Sequence, residues 1–175
     1  MPETEADELG SLIGQLRHSV MQCASCQRYF ANQSAGNTLC GICSSVNRDH
    51  NKLIVVAADS DVTAIERSGM YDGLYFVLGG TVPLLHSEDS KKLRGGLLKA
   101  TIEARLPAGL SEIILAFAIN PDGENTARYV ESIISPLKTE TTFITISHLG
   151  RGLSTGSELE YADPETIKNA LRNRG

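Results

Sequence analysis

The chain has 175 residues, 41% of them hydrophobic, and a formal net charge of −5; this suffices for one sizeable core plus a small appended module and excludes a disordered chain. No apolar run approaches the roughly 20 residues that span a bilayer, and the acidic start "MPETEADELG" lacks the basic-then-apolar layout of a signal peptide. A cytosolic, cytoplasmic protein is expected, in a reducing compartment where its four cysteines would not persist as two disulfides.

In chain order, "ADELGSLIGQLRHSVMQ" sets Leu9, Leu12, Ile13, Leu16 and Val20 at steps of three and four, one apolar stripe on a helix within residues 1–21. That stripe is expected to pack on the following module or on a copy of itself, with His18 at its edge solvated or capping. Next comes "CASCQRYFANQSAGNTLCGIC", all four cysteines as two Cys-x-x-Cys pairs separated by thirteen residues. A redox pair normally acts alone at a helix start, whereas two pairs joined by a polar loop (Asn32, Gln33, Ser34, Gly36, Asn37) can place four sulfurs tetrahedrally around Zn²⁺. Cys23, Cys26, Cys40 and Cys43 are therefore expected to hold a structural zinc in a finger over residues 22–50, with Gly41 giving a tight turn; the alternative is four free core thiols. A closed four-Cys site leaves no open position for catalysis.

From residue 51 to 148 short apolar runs alternate with helical segments. "LIVVA" (53–57), "LYFVL" (74–78), "EIILAFA" (112–118) and "TFITI" (142–146) read as buried strands. Between them lie "SDVTAIERSG", "SEDSKKLRGGLLKATIEARL" and "GENTARYVESIISPLK" with helical periodicity, the first opening on Ser60 and Asp61 as N-cap residues. The pattern predicts an α/β domain, a parallel sheet with helices on its faces. In residues 149–175 a Gly- and Ser-rich loop precedes a short terminal helix, with Asp163 as N-cap and Pro164 at its first position.

Chemistry in such sheets lies at the carboxyl ends of the strands. Asp59 and Asp61 follow the first strand, Asp122 and Glu124 the third, flanking Gly123. Together they could hold Mg²⁺ for phosphoryl or phosphodiester chemistry, with Gly123 turning both side chains inward; alternatively they are helix N-terminal carboxylates that cap amides and complement the dipole. Phosphate-loop and dinucleotide motifs are absent from the sequence. "LGRGLSTGSELEYAD", with Arg151, could wrap a phosphate or a partner or be a simple connection, and His86 and His148 follow strands.

The order of the cysteine knuckles, then "LIVVAADSDVTAIERSGMYDGLYFVLGG", then "DGENTARYV", then "ISHLGRGLSTGSELEYAD" resembles the bacterial RecR recombination mediators, from about residue 10 to the end. The resemblance implies a zinc finger, a Toprim domain and a RecR-type C-terminal segment. It also implies a non-enzymatic repair protein that binds gapped or single-strand/double-strand junction DNA and self-associates as a dimer or tetramer. RecO- and RecF-type partners and loading of the recombinase RecA belong to the same expectation, and the acidic edge at Asp122 and Glu124 is where the resemblance puts the RecO-type partner. Two departures stand out: the family's N-terminal helix-hairpin-helix has no counterpart before Cys23, and the acidic residue usual at the end of the first Toprim strand falls on Ala57. The other readings are a Mg²⁺-dependent Toprim nuclease or primase-like enzyme using Asp59, Asp61, Asp122 and Glu124, and an adaptor that has lost DNA binding. A net charge of −5 opposes a basic footprint, but Arg28 and Arg48 by the finger and Lys91, Lys92, Arg94 and Lys99 form local basic clusters, read equally as DNA contacts or as a solvated face.

Overall fold

Runs of Val, Ile, Leu, Tyr and Phe too short for helices have no solvent-facing side, so they are stable only as strands covered on both faces. The structure is a computed structural model that describes residues 3–31, 36–84, 87–138, 143–150, 162 and 164–172. Helix α1 (Glu3–Ser19) leads into a hairpin of strands β1 (Val20–Gln22) and β2 (Tyr29–Ala31). Then follow β3 (Asp49–Val56), α2 (Asp59–Ser68), β4 (Gly73–Val77), α3 (Gly95–Arg105), β5 (Glu112–Ala116), α4 (Pro121–Ile134), β6 (Thr145–His148) and α5 (Pro164–Arg172).

The expected α/β fold is present: β4-β3-β5-β6 make one sheet, parallel throughout. Because successive strand residues point to opposite faces, β3, β4 and β5 each feed two cores. Leu53 and Val55 of β3, Leu74 and Phe76 of β4, and Ile113 and Leu115 of β5 pack with Leu98 and Ile102 of α3 and Val130 and Ile134 of α4. Their alternates Ile54, Val56, Tyr75 and Val77 pack on the other face with Val62 of α2 and with Cys23, Cys26 and Cys40. The finger is therefore part of the second core layer.

Several expectations need correction. The fourth strand begins at Thr145, three residues later than read, because Thr145 to His148 are the residues in register with Glu112 to Leu115, while Ile144 is buried just ahead of the strand. The segment before α3 is not one helix: a 3₁₀ stretch (Ser87–Lys92) precedes α3, and the chain breaks at Arg94, whose amide donates to the carbonyl of Leu78. Val20 leaves the helical stripe for β1, and Leu9, Leu12, Ile13 and Leu16 remain 50, 54, 57 and 55% exposed, so the stripe does not pack on the finger. Gly41 is not a required turn glycine. A Cβ there would meet open space, and the left-handed residues of the finger are Gln27, at φ 65°, just past the first knuckle, and Gly36, at φ 92°. His86, Asn32, Gln33, Ser34, Arg151 and Asp163 lie outside the described residues, as does the loop that Arg151 belongs to.

Candidate functional site

The finger is built from two like turns. The amide of Gln27 donates to the carbonyl of Cys23 and that of Ser44 to the carbonyl of Cys40, each at 3.0 Å, so each Cys-x-x-Cys pair curls its two sulfurs to the same side. Cys23, Cys26 and Cys40 are 0, 1 and 2% exposed, Cys43 somewhat more open, and the four sulfurs lie within 4.8 Å of one another. Among the described residues this is the set of three or more Cys, His, Asp or Glu side chains that could hold a metal ion. Hydrogen bonding within the cluster splits the thiol acidities. Contact with Cys26 draws Cys23 far down, and contact with Cys23 pushes Cys26 and Cys43 up. Cys40 falls to about 6, the raising contact with Cys23 being outweighed by those with Cys26 and Cys43. The amide of Cys40 also donates to the Cys23 sulfur at 3.4 Å, a contact that favours thiolate. Soft sulfur donors in a closed set of four suit a tetrahedral structural ion, and such an ion must displace the protons the cluster holds.

The finger sits on the outer edge of β4. The amide of Val77 donates to the carbonyl of Cys26 at 2.8 Å, and the carbonyl of Val77 accepts from Arg94 Nη1 at 3.0 Å. Arg94 also reaches the carbonyl of Gln27 at 3.1 Å, and Arg105 Nη2 donates to the Ser25 hydroxyl at 2.7 Å. Arg94 directly precedes α3 and Arg105, eleven positions further on, is its last residue, a step of about three helical turns that puts both on one side of the helix. Arg94 was read from the sequence as a DNA contact, and here its Nη1 links finger to sheet. Arg105 was missed, although its spacing from Arg94 was legible.

The acidic residues are held individually. Asp61 accepts from the amide of Ala58 at 2.9 Å, Asp59 Oδ2 from the amide of Tyr29 at 3.2 Å, and Asp122 from the amide of Leu84 at 3.0 Å. Asp61 makes the helix-end bond weighed against a metal role, whereas Asp59 and Asp122 tie their helices to a finger strand and to a distant loop. Asp59, Asp61, Asp122 and Glu124 do not assemble into a second metal-holding group among the described residues. The other oxygen of Asp59 is buried without a partner in a cleft of about 250 Å³ lined also by Tyr29, Ala57, Gly79, Gly80 and Arg94. Gly123 does not make a turn. It lies in the first turn of α4, where a Cβ would sit 1.9 Å from the carbonyl oxygen of Ala118, and Asn120 caps that turn by accepting its amide at 2.7 Å.

Glu124 is exposed at the rim of a cleft of about 550 Å³ at the carboxyl ends of β5 and β6, with Phe117, Ile119, Arg128, Glu131 and His148 around it. His148 Nε2 lies 3.3 Å from the Glu131 carboxylate. Of the cations read as DNA contacts, Lys91 and Lys92 are exposed, Arg28 and Arg94 are half-buried, and Arg48 is tied to Glu66 and to the carbonyls of Tyr71 and Gly73. Lys99 lies 3.9 Å from Glu103 on the exposed side of α3. No helix among the described residues is long and apolar enough to cross a membrane.

Residues 51–148 match the Toprim domain family, and residues 152–174 match the family described as RecR, C-terminal. The chain is similar to Recombination protein RecR of Lactobacillus helveticus, 33% identical over 99% of this chain and 81% of that protein. It is likewise similar to proteins of the same name from Dehalococcoides mccartyi (35% identical, 99% of this chain, 78% of that protein) and Roseiflexus castenholzii (38%, 94% and 73%).

Proposed function

The chain belongs to the RecR family of recombination proteins, and on that premise we propose that it assists recombinase loading in recombinational repair, binding gapped or junction DNA and RecO- and RecF-type partners without catalysing a reaction. What carries the reading is the order of parts: a four-cysteine finger, a Toprim match and a RecR C-terminal match in one chain that aligns with RecR-named relatives over nearly its whole length. We read the parts as a helix over residues 1–21, a finger over 22–50, a Toprim domain over 51–148 and a C-terminal loop and helix over 149–175, the protein working in the cytoplasm.

Zinc is the ion we assign to Cys23, Cys26, Cys40 and Cys43, because four thiolates without an open position favour a tetrahedral, redox-inert, structural ion. When bound it fixes the two knuckles relative to each other. The non-catalytic reading is supported by Ala57 at the end of β3 and by Asp61 and Asp122 each holding a backbone amide, which leaves no gathered carboxylate set for Mg²⁺ among the described residues. Glu124, two residues from Asp122, instead borders a cleft that mixes the carboxylate of Glu131 with apolar Phe117 and an exposed Ile119, an arrangement suited to a basic and apolar segment of a RecO-type partner. Lys91 and Lys92, exposed ahead of α3, are the cations best placed for phosphate, and the bare stripe of α1 supports self-association.

The test is fluorescence anisotropy on a gapped duplex at two salt concentrations, with and without Mg²⁺, with the DNA checked for cleavage afterwards. Binding that weakens at higher salt and leaves the DNA intact is expected. Mg²⁺-dependent cleavage abolished by Asp122→Ala and Glu124→Ala would establish the enzyme reading instead, and folded protein that binds no DNA would leave a partner adaptor.

A further inference from the structure

Three arginines lie on or reach the first Cys-x-x-Cys knuckle of the finger, and two of them carry buried N–H groups with no partner in the protein. Arg105 Nη2 donates to Ser25, inside the first knuckle, while its Nη1 is buried and unpaired. Arg28, two residues past Cys26, lines a cleft of about 370 Å³ with Cys40, Gly41 and Ile42, and its Nε is buried and unpaired as well. Arg94 grips the carbonyl of Gln27, at the end of the same knuckle. Orphaned buried donors are rare in folded proteins and call for an explanation in each case. Glu66 feels the charge of Arg28 but is paired with Arg48, so it accounts for neither orphan.

The cage supplies the missing charge once it is loaded. Four thiolates (−4) around Zn²⁺ (+2) leave −2, and a buried charge of that size is stable only with compensation close by. Outer partners of metal ligands commonly tune affinity in this way. We propose that Arg28, Arg94 and Arg105 form a cationic shell that neutralises the zinc-loaded cage and thereby governs how slowly the metal leaves. The shell also accounts for the route of the chain. Arg94 and Arg105 stand at the two ends of α3, on the opposite face of the sheet from the finger, and meet the knuckle around the β4 edge. The proposal rests on the zinc reading given above.

The test compares purified, zinc-loaded wild type with Arg105→Gln, Arg105→Lys and Arg28→Gln, and with Lys99→Gln on the exposed side of α3 as a control. Metal content is measured first, then zinc release into excess 4-(2-pyridylazo)resorcinol by absorbance, with circular dichroism to verify the fold. Release at least about tenfold faster is expected for both glutamine variants, with Arg105→Lys and Lys99→Gln near wild type. Equal release from wild type and the folded glutamine variants overturns the proposal. Release from Arg105→Lys as fast as from Arg105→Gln also overturns it, because the role would then belong to the forked geometry and not to the charge. Arg28→Gln carries the test alone if Arg105→Gln does not fold. Wild-type protein with well under one zinc per chain removes the zinc reading itself, and the initial metal analysis separates that result from failure of the arginine shell.

Discussion

Glu66 carries two partners at once: Arg48 forks onto its carboxylate, and the Tyr75 hydroxyl donates to it at 2.6 Å. With its side chain 16% exposed, Arg48 is an internal tie joining the end of the finger to α2 and to the carbonyls of Tyr71 and Gly73 at the start of β4. Arg48→Ala should therefore cost about 2 kcal/mol in urea unfolding while leaving affinity for a gapped duplex unchanged; a loss of DNA affinity without loss of stability would reverse that assignment. Arg48 holds the Glu66 carboxyl below its ordinary value of 4.5, with Tyr75 adding to the effect. A group with a depressed folded-state pKa contributes stability that is fully present above its unfolded value and is lost as pH falls through its folded value. The urea midpoint of wild type should accordingly drop as pH is lowered from 4.5, and Glu66→Gln should be less stable at neutral pH with a flatter acid limb. Gly123 makes a second residue-scale case. A Cβ there would overlap the Ala118 carbonyl, which is backbone and cannot rotate away, so Gly123→Ala should destabilise by about 2 kcal/mol or more, read as a lowered Tm. The sequence could mark Gly123 as special because it stands between two carboxylates, but only packing distinguishes a turn from a close approach.

Edge strands are open templates for pairing with other chains, and β4 is the outer strand of a parallel sheet next to the finger. Val77 presents both its backbone groups outward, and the knuckle and Arg94 satisfy both. Stripping the metal with a chelator should loosen the knuckle, bare this edge and cause concentration-dependent aggregation that added zinc prevents; apo protein that stays monodisperse would show that the edge is covered without the ion. Legibility in the sequence followed burial. The runs 53–57 and 74–78 and the start of the run at 112 were readable because strands buried on both faces are nearly all apolar, and the four cysteines because their spacing has few other uses. The hairpin of β1 and β2 was not readable, since three-residue strands with exposed ends carry no period. β6 was misplaced because "TFITI" is the more apolar run, while register with β5 selects "TISH". The arginine bridge from α3 needed three dimensions, because its partners are carbonyls and a serine hydroxyl that no residue pattern announces.

At the scale of the whole molecule, the apolar residues divide into those the fold uses and those it leaves bare. The two core layers account for the sheet, α2, α3, α4 and the finger. Leu9, Leu12, Ile13 and Leu16 belong to neither layer, each more than half exposed or at that limit, on a helix whose acidic residues Glu5, Asp7 and Glu8 are exposed too. Their steps of three, one and three make the seam along which two helices pack, and a soluble chain rarely leaves such a seam open. Self-association through this seam would also gather the exposed lysines ahead of α3 from several subunits, letting a chain of net charge −5 present more than one cationic patch to a single DNA. Light scattering during gel filtration should then give a mass above one chain that falls on dilution, and Leu12→Glu with Ile13→Glu should give a monomer. Because the stripe contributes nothing to the two core layers, that double variant should keep the wild-type Tm once both are compared as monomers, and its gapped-duplex affinity should fall through lost avidity. A double variant that stays assembled would place the subunit contact elsewhere, and one that unfolds would mean that α1 packs against the body of the protein after all.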